Sequence, residues 1–142
     1  MTHEPVDLAF VARVRAGVAL SIALLAALAW MARRIEPDGT RAGWTPPLTL
    51  AGLVSPVIGF RLFAWRRERF PAAADPAGRR AAYARALAAA LGVTAAVAVA
   101  GLWAHLLSGE PGPLAGLVTH VLLAGALWPS PEGLAGFGEP ER

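Results

Sequence analysis

The chain has no cysteine and no lysine among its 142 residues. The first absence excludes disulfides, thiol nucleophiles and iron–sulfur ligation. The second makes all thirteen Lys/Arg positions arginine. With so much alanine, glycine and proline, this reads as the coding bias of a GC-rich bacterial genome. Charge is also sparse. Charged residues make up 16% and hydrophobic residues 56%, where a soluble domain carries about a quarter charged residues. Aspartate and glutamate are missing from every long apolar run, which argues against a carboxylate proton relay, a cation antiporter or a metal cage at membrane depth. No Ser–His–Asp set, glycine-rich phosphate loop or zinc-ligand spacing occurs, so catalysis is not expected. The net charge of +3 does not point to nucleic acid, because the arginines flank apolar runs.

Four apolar runs are present, and all five tryptophans sit near their ends: Trp30, Trp44, Trp65, Trp103 and Trp128. Indole has an apolar body and one N–H donor, so it settles where hydrocarbon meets headgroups. The pattern predicts an all-α integral membrane protein, a four-transmembrane-helix bundle forming a single domain over 1–142. The expected spans are 8–31, 47–65, 84–107 and 114–128. The first is read as a retained span and not a signal peptide. Its apolar stretch from Ala16 to Ala32 is longer than a signal core of roughly 7–15 residues, and it ends in Arg33-Arg34 without a cleavage site. Pro56 should kink the second span, with Ser55 or a neighbouring helix satisfying the carbonyl it frees. The segment 66–82 is expected as an arginine-rich loop. The fourth span is short, and Pro129 and Pro131 should end it before a polar, glycine-rich tail.

Arginine counting gives the orientation. Arg13, Arg15, Arg61, Arg66, Arg67, Arg69, Arg79, Arg80, Arg85 and Arg142 fall on one side, against Arg33, Arg34 and Arg41 on the other. The richer side is cytoplasmic by the positive-inside rule. Both termini therefore lie in the cytoplasm, and the location is the bacterial inner membrane. Arg13 and Arg15 should snorkel to phosphates. Arg66, Arg67, Arg69, Arg79, Arg80 and Arg85 are candidates for binding anionic lipid, at roughly 1 kcal/mol per arginine near the surface.

His105 and His120 are the candidate cofactor ligands. Each follows a glycine by four residues, Gly101 and Gly116, and Ala124 follows His120 by four. Small residues one turn away clear a flat surface beside an imidazole. Haem or (bacterio)chlorophyll needs that clearance and a neutral ring nitrogen. The spacing resembles the small-x-x-x-His pattern of bacterial light-harvesting helices. The two histidines should differ in depth by about one helical turn. The alternative is that each imidazole simply bonds a neighbouring helix, a headgroup or water. Small residues also recur every fourth position at Ala19, Ala23 and Ala27, and at Ala88, Gly92, Ala96 and Ala100. Such stripes let helix backbones approach closely.

The second half, residues 79–132, carries a further likeness. Arg80-Ala-Ala-Tyr83-Ala-Arg85, then Leu106-Leu107-Ser108-Gly109-Glu110, then Trp128-Pro129-Ser130-Pro131 resembles a group of uncharacterised small four-helix bacterial membrane proteins. Many of these have a glutamate within the third span. Here Ala89-Ala90-Leu91-Gly92-Val93-Thr94 has no acid. The functional expectation is a non-catalytic accessory, structural or assembly subunit of a larger respiratory or photosynthetic membrane complex, partnered by lipid and other membrane subunits. Alternatives are a small oligomeric transporter or channel, and a tetrapyrrole-binding subunit.

Overall fold

The computed structural model describes residues 5–37, 45–69 and 75–137, with the side chains of residues 5 and 6 excepted. Trp44, Arg41 and Arg142, used above for interfaces and orientation, lie outside the described residues. The elements are α1 (Pro5–Ala32), α2 (Thr45–Glu68), α3 (Pro76–Ser108), a 3-10 turn (Gly112–Leu114), α4 (Ala115–Ala126) and α5 (Pro131–Ala135). Among the described residues every element is helical. Three helices are long and apolar enough to cross a membrane, and the segment Gly112–Ala126 is a shorter apolar helix.

Two helix starts extend beyond expectation. Asp75 caps α3 by accepting from the Gly78 N–H at 3.1 Å, with Pro76 in the first turn, where its missing N–H is no loss. Most of the described residues within 66–82 are therefore helical, since α2 runs to Glu68 and α3 begins at Pro76; residues 70–74 lie outside the described residues. Ser130 caps α5 in the same way, accepting from Gly133 N–H at 2.9 Å behind Pro131. The tail after α4 is consequently not a free polar segment, since Leu134 and Phe137 are buried.

α3 is the hub and touches α1, α2, α4 and α5. Its buried face is the row Ala86, Ala90, Thr94 and Ala98, each fully covered. The partner faces are also small. A Cβ on Gly52 of α2 would lie 2.7 Å from Gly116 N, and one on Gly101 would overlap Pro113 O. Leu20, Leu50, Val57, Leu122 and the described tryptophans Trp30, Trp65, Trp103 and Trp128 are exposed on the outside. Large apolar side chains outside and small residues inside suit helices associating by van der Waals contact in lipid.

α2 is unbroken through Pro56. Proline at 56 has no N–H for the Gly52 carbonyl. That carbonyl instead accepts from Thr119 Oγ1 at 2.8 Å and Ser55 Oγ at 3.1 Å. Both expected donors, the local hydroxyl and a neighbouring helix, are in place.

α1 is attached along a narrow seam. Val11, Val18, Leu25 and Ala32 are buried, a seven-residue repeat with Val14 and Ile22 packed between. At one end of the bundle Phe63, Tyr83 and Phe137 form an edge-to-face triad with centroids 5.5–6.1 Å apart. Val11 and Leu134 belong to the same cluster, so both described chain ends sit at this end. Arg80 reaches Asp7 there at 2.9 Å. At the opposite end, Pro37 Cβ lies within 3.3 Å of where a Gly109 Cβ would stand. Gly109 has φ 73°, a left-handed cap that glycine adopts without penalty.

Candidate functional site

His120 is fully buried between α1, α3 and α4. Its Nδ1 lies 2.8 Å from Thr94 Oγ1 on α3, and its Nε2 lies 3.4 Å from Ser21 Oγ on α1. Both hydroxyls also donate along their own helices, Thr94 to Leu91 O at 3.0 Å and Ser21 to Val18 O at 2.8 Å. This is the bonded-imidazole alternative, realised with three helices meeting at one ring.

The same geometry does not fit a tetrapyrrole on His120. A ligating imidazole needs a metal about 2 Å from a ring nitrogen, with a flat macrocycle beyond it. Thr94 stands at one nitrogen and Ser21 at the other. Gly116 clears no surface either, because a Cβ there would meet Ala98 at 3.1 Å, and Ala124 is itself fully buried in the core. The small residues flanking His120 serve backbone approach.

His105 has a different task. Its Nδ1 lies 2.9 Å from Glu110 O, closing the α3–α4 turn with the Gly109 N–H bond to His105 O at 2.8 Å. Gly101 is the close neighbour of Pro113, whose backbone takes the space. Thr94 opposes His120 and Pro113 opposes Gly101, so the hairpin closes near residue 107. His105 and His120 differ in depth by the eleven residues from Thr94 to His105, about 16 Å at 1.5 Å per residue. The expected difference of one turn was too small, because the 3-10 turn shifts the centre of the hairpin. One ring cannot bridge the pair.

A groove lies between α1 and α3, with His120 among its lining residues. The groove has a volume of about 360 Å³, and its lining includes Val14, Gly17, Ser21, Ala88, Gly92 and His120. A Cβ on Gly17 or Gly92 would meet nothing within 4 Å. Ser21 and His120 are the groove's polar side chains, and His120 is fully buried beneath it.

The small-residue stripes face outward. Ala19, Ala23 and Ala27 are exposed, as are Ala88, Gly92 and Ala96, and Ala100 is half-buried. The row that packs inside α3 is offset by two positions, which is the opposite side of a helix.

The arginines divide. Arg66, Arg69 and Arg85 converge with Trp65 around a surface cavity of about 240 Å³, and Arg69 stacks 4.6 Å above the Trp65 ring. Arg79 and Arg80, expected at lipid, are used within the bundle: Arg79 donates to Ala135 O at 3.2 Å, and Arg80 pairs with Asp7. Arg67 is not part of the cavity lining. Arg15, expected to snorkel, instead donates from Nε to Pro129 O at 2.7 Å. It satisfies the carbonyl exposed where the chain leaves α4. Sequence reasoning passed over Thr94 and Ser21 as site residues. Their signal was there, as each is the one hydroxyl inside its apolar run.

No family model, curated protein or solved structure matches this chain.

Proposed function

We propose that the chain is a non-catalytic protein of the bacterial inner membrane, crossing four times with both termini in the cytoplasm. In this reading it serves as an accessory, structural or assembly subunit of a larger membrane complex, respiratory or photosynthetic. The observation that carries the subunit role is the second small row on α3. Ala88, Gly92 and Ala96 are exposed while the equivalent inner row is fully buried. Small residues facing lipid forgo the contact that large ones would make, so such a row favours a seat for another transmembrane helix. The polar groups of the core point the same way. Thr94, Ser55, Thr119 and His120 bond one another or helix carbonyls, an arrangement that holds helices together.

The fourth crossing is composite. α4 has 12 residues, about 18 Å, short of a hydrocarbon core of about 30 Å. Residues 127–137 carry the chain on to the level of Tyr83, where Leu134 and Phe137 pack. Irregular backbone at that depth is tolerated only when protein satisfies it, and the Arg15–Pro129 bond supports this. Arg66, Arg69 and Arg85 then meet anionic headgroups at the cytoplasmic surface.

The test is purification from the native membrane in several mild detergents, followed by mass spectrometry. The expected result is a defined membrane partner that Ala96→Leu releases without unfolding the bundle. A lone chain in every detergent contradicts the subunit role. Selective solute flux in liposomes holding only this protein would favour the oligomeric transporter or channel instead.

A further inference from the structure

Three arginines meet in one cavity where α2 and α3 lie side by side. Arg66 and Arg69 come from the end of α2 and Arg85 from inside α3, and with Trp65 and Ala82 they line a space of about 240 Å³. Arg85 Nε donates to Ala81 O at 3.2 Å, which leaves its terminal nitrogens for the cavity, and Arg69 lies 4.6 Å above the Trp65 ring. None of the three has a carboxylate partner among the described residues. Glu68, the acid nearest in sequence, lines a neighbouring groove with Arg61. Orientation by positive charge asks only for arginines near this surface, and the carbonyls at the end of α2 favour Arg66 and Arg69. Neither accounts for Arg85, more than two turns into α3, facing the same cavity as the α2 pair.

We infer that this cavity holds the headgroup of one phospholipid bearing two phosphodiester groups, of the diphosphatidylglycerol type, with its acyl chains laid along α2 beyond Trp65. A guanidinium presents paired N–H donors that match two oxygens of one phosphate. Three such groups, set on two helices, exceed what a singly charged phosphodiester uses and complement a doubly charged one. Basic pockets between transmembrane helices suit such headgroups. The cavity is smaller than a pocket enclosing a whole small molecule, so it takes the headgroup and leaves the chains outside. A surface for them is adjacent. Val57, Ile58, Leu62 and Trp65 line a groove of about 560 Å³. Ile58, Leu62, Trp65 and Arg69 share one side of α2 at helical spacing. From Arg69 to Ile58 the rise is about 16 Å, the depth of one leaflet of a core about 30 Å thick. A soluble anion or an acidic protein loop has no use for this groove. The inference rests on the reading that this end of the bundle lies in the headgroup layer, and adds which lipid is held and where its chains run.

The test is native mass spectrometry of the full chain, released from micelles doped with equal amounts of diphosphatidylglycerol, phosphatidylglycerol and phosphatidic acid. One diphosphatidylglycerol is expected to stay bound, favoured roughly fivefold over phosphatidylglycerol. Arg85→Gln should abolish the preference. Arg13→Gln, which removes an equal charge near Val11 at the same end of the bundle, should leave it. Both arginines are exposed, so neither change threatens the fold. In nanodiscs, diphosphatidylglycerol with a diazirine in an acyl chain should label residues 57–65. Several outcomes overturn the site while leaving the headgroup-layer reading intact: equal retention of diphosphatidylglycerol and phosphatidylglycerol, a preference for phosphatidic acid, displacement by inorganic phosphate, no effect of Arg85→Gln, or an equal effect of Arg13→Gln. Labelling spread over α1 positions such as Leu20 and Leu24 does the same. Retention of no anionic lipid overturns both.

Discussion

Adding one methyl group to different glycines should separate sites that hold the bundle together from sites that do not. A Cβ at Gly52 would stand 2.7 Å from Gly116 N, 3.2 Å from Gly116 Cα and 3.3 Å from Ala115 C, all backbone atoms. No rotamer change relieves this, so α2 must move away by about 0.7 Å to restore ordinary contact. At Gly101 the overlap, with Pro113 O, is larger. At Gly17 and Gly92 the same methyl group meets nothing within 4 Å. All four sites are helical, so the gain in helix propensity is shared and cancels in the comparison. What remains is the overpacking penalty, about 1–3 kcal/mol, or roughly 5- to 150-fold in the folding equilibrium. Reversible unfolding in mixed SDS and dodecyl maltoside, followed by tryptophan fluorescence, measures it. Gly52→Ala and Gly101→Ala should be less stable than Gly17→Ala and Gly92→Ala by that margin. Equal stability of the two pairs would refute the backbone-contact account of α2, α3 and α4.

The carbonyl freed by Pro56 gives a second prediction. Thr119→Val or Ser55→Ala alone leaves Gly52 O one donor and costs about 1 kcal/mol, whereas the double variant strands it and costs about 1–3 kcal/mol beyond the first loss; the same unfolding assay checks this. Arg15→Met removes the donor to Pro129 O and should raise hydrogen exchange across 127–135 while leaving α2 protected. Replacing Arg66, Arg69 and Arg85 together by Gln should lower phosphatidylglycerol retained in native mass spectrometry, by about fivefold per arginine if each contributes about 1 kcal/mol. Replacing Arg80, which is paired with Asp7, should not.

The long helices were legible because apolar runs of membrane length leave no other place for the chain. Their extensions at the Tyr83 end of the bundle were less so. The first turns of α3 carry Arg79 and Arg80 and read as loop, yet Asp75-Pro76 is a start signal, and Ser130-Pro131 is the same signal for α5. The facing of α3 could not be read from its sequence. Ala86, Ala90 and Ala98 on one side and Ala88 and Ala96 on the other are the same residue type, and the choice is made by Gly59 on α2 and Gly116 on α4, which approach the backbone at Ala90 and Ala98. His120 stood out in the sequence, but its role did not. The small neighbours that read as clearance for a ring are filled by helix backbone, and the residues that fix the imidazole come from two distant helices. The groove beside it depends on how narrowly α1 is attached, which depends on tertiary packing.

Because the chain has no cysteine, its path through the membrane can be mapped with single substitutions. Ala77, Glu110 and Glu132 are exposed, and α3 separates the first two by about 45 Å or more. In intact spheroplasts, a membrane-impermeant maleimide should label Glu110→Cys directly, and Ala77→Cys and Glu132→Cys only after lysis. Labelling of Ala77→Cys from outside, or of Glu132→Cys together with Glu110→Cys, would contradict the four-crossing account with cytoplasmic termini.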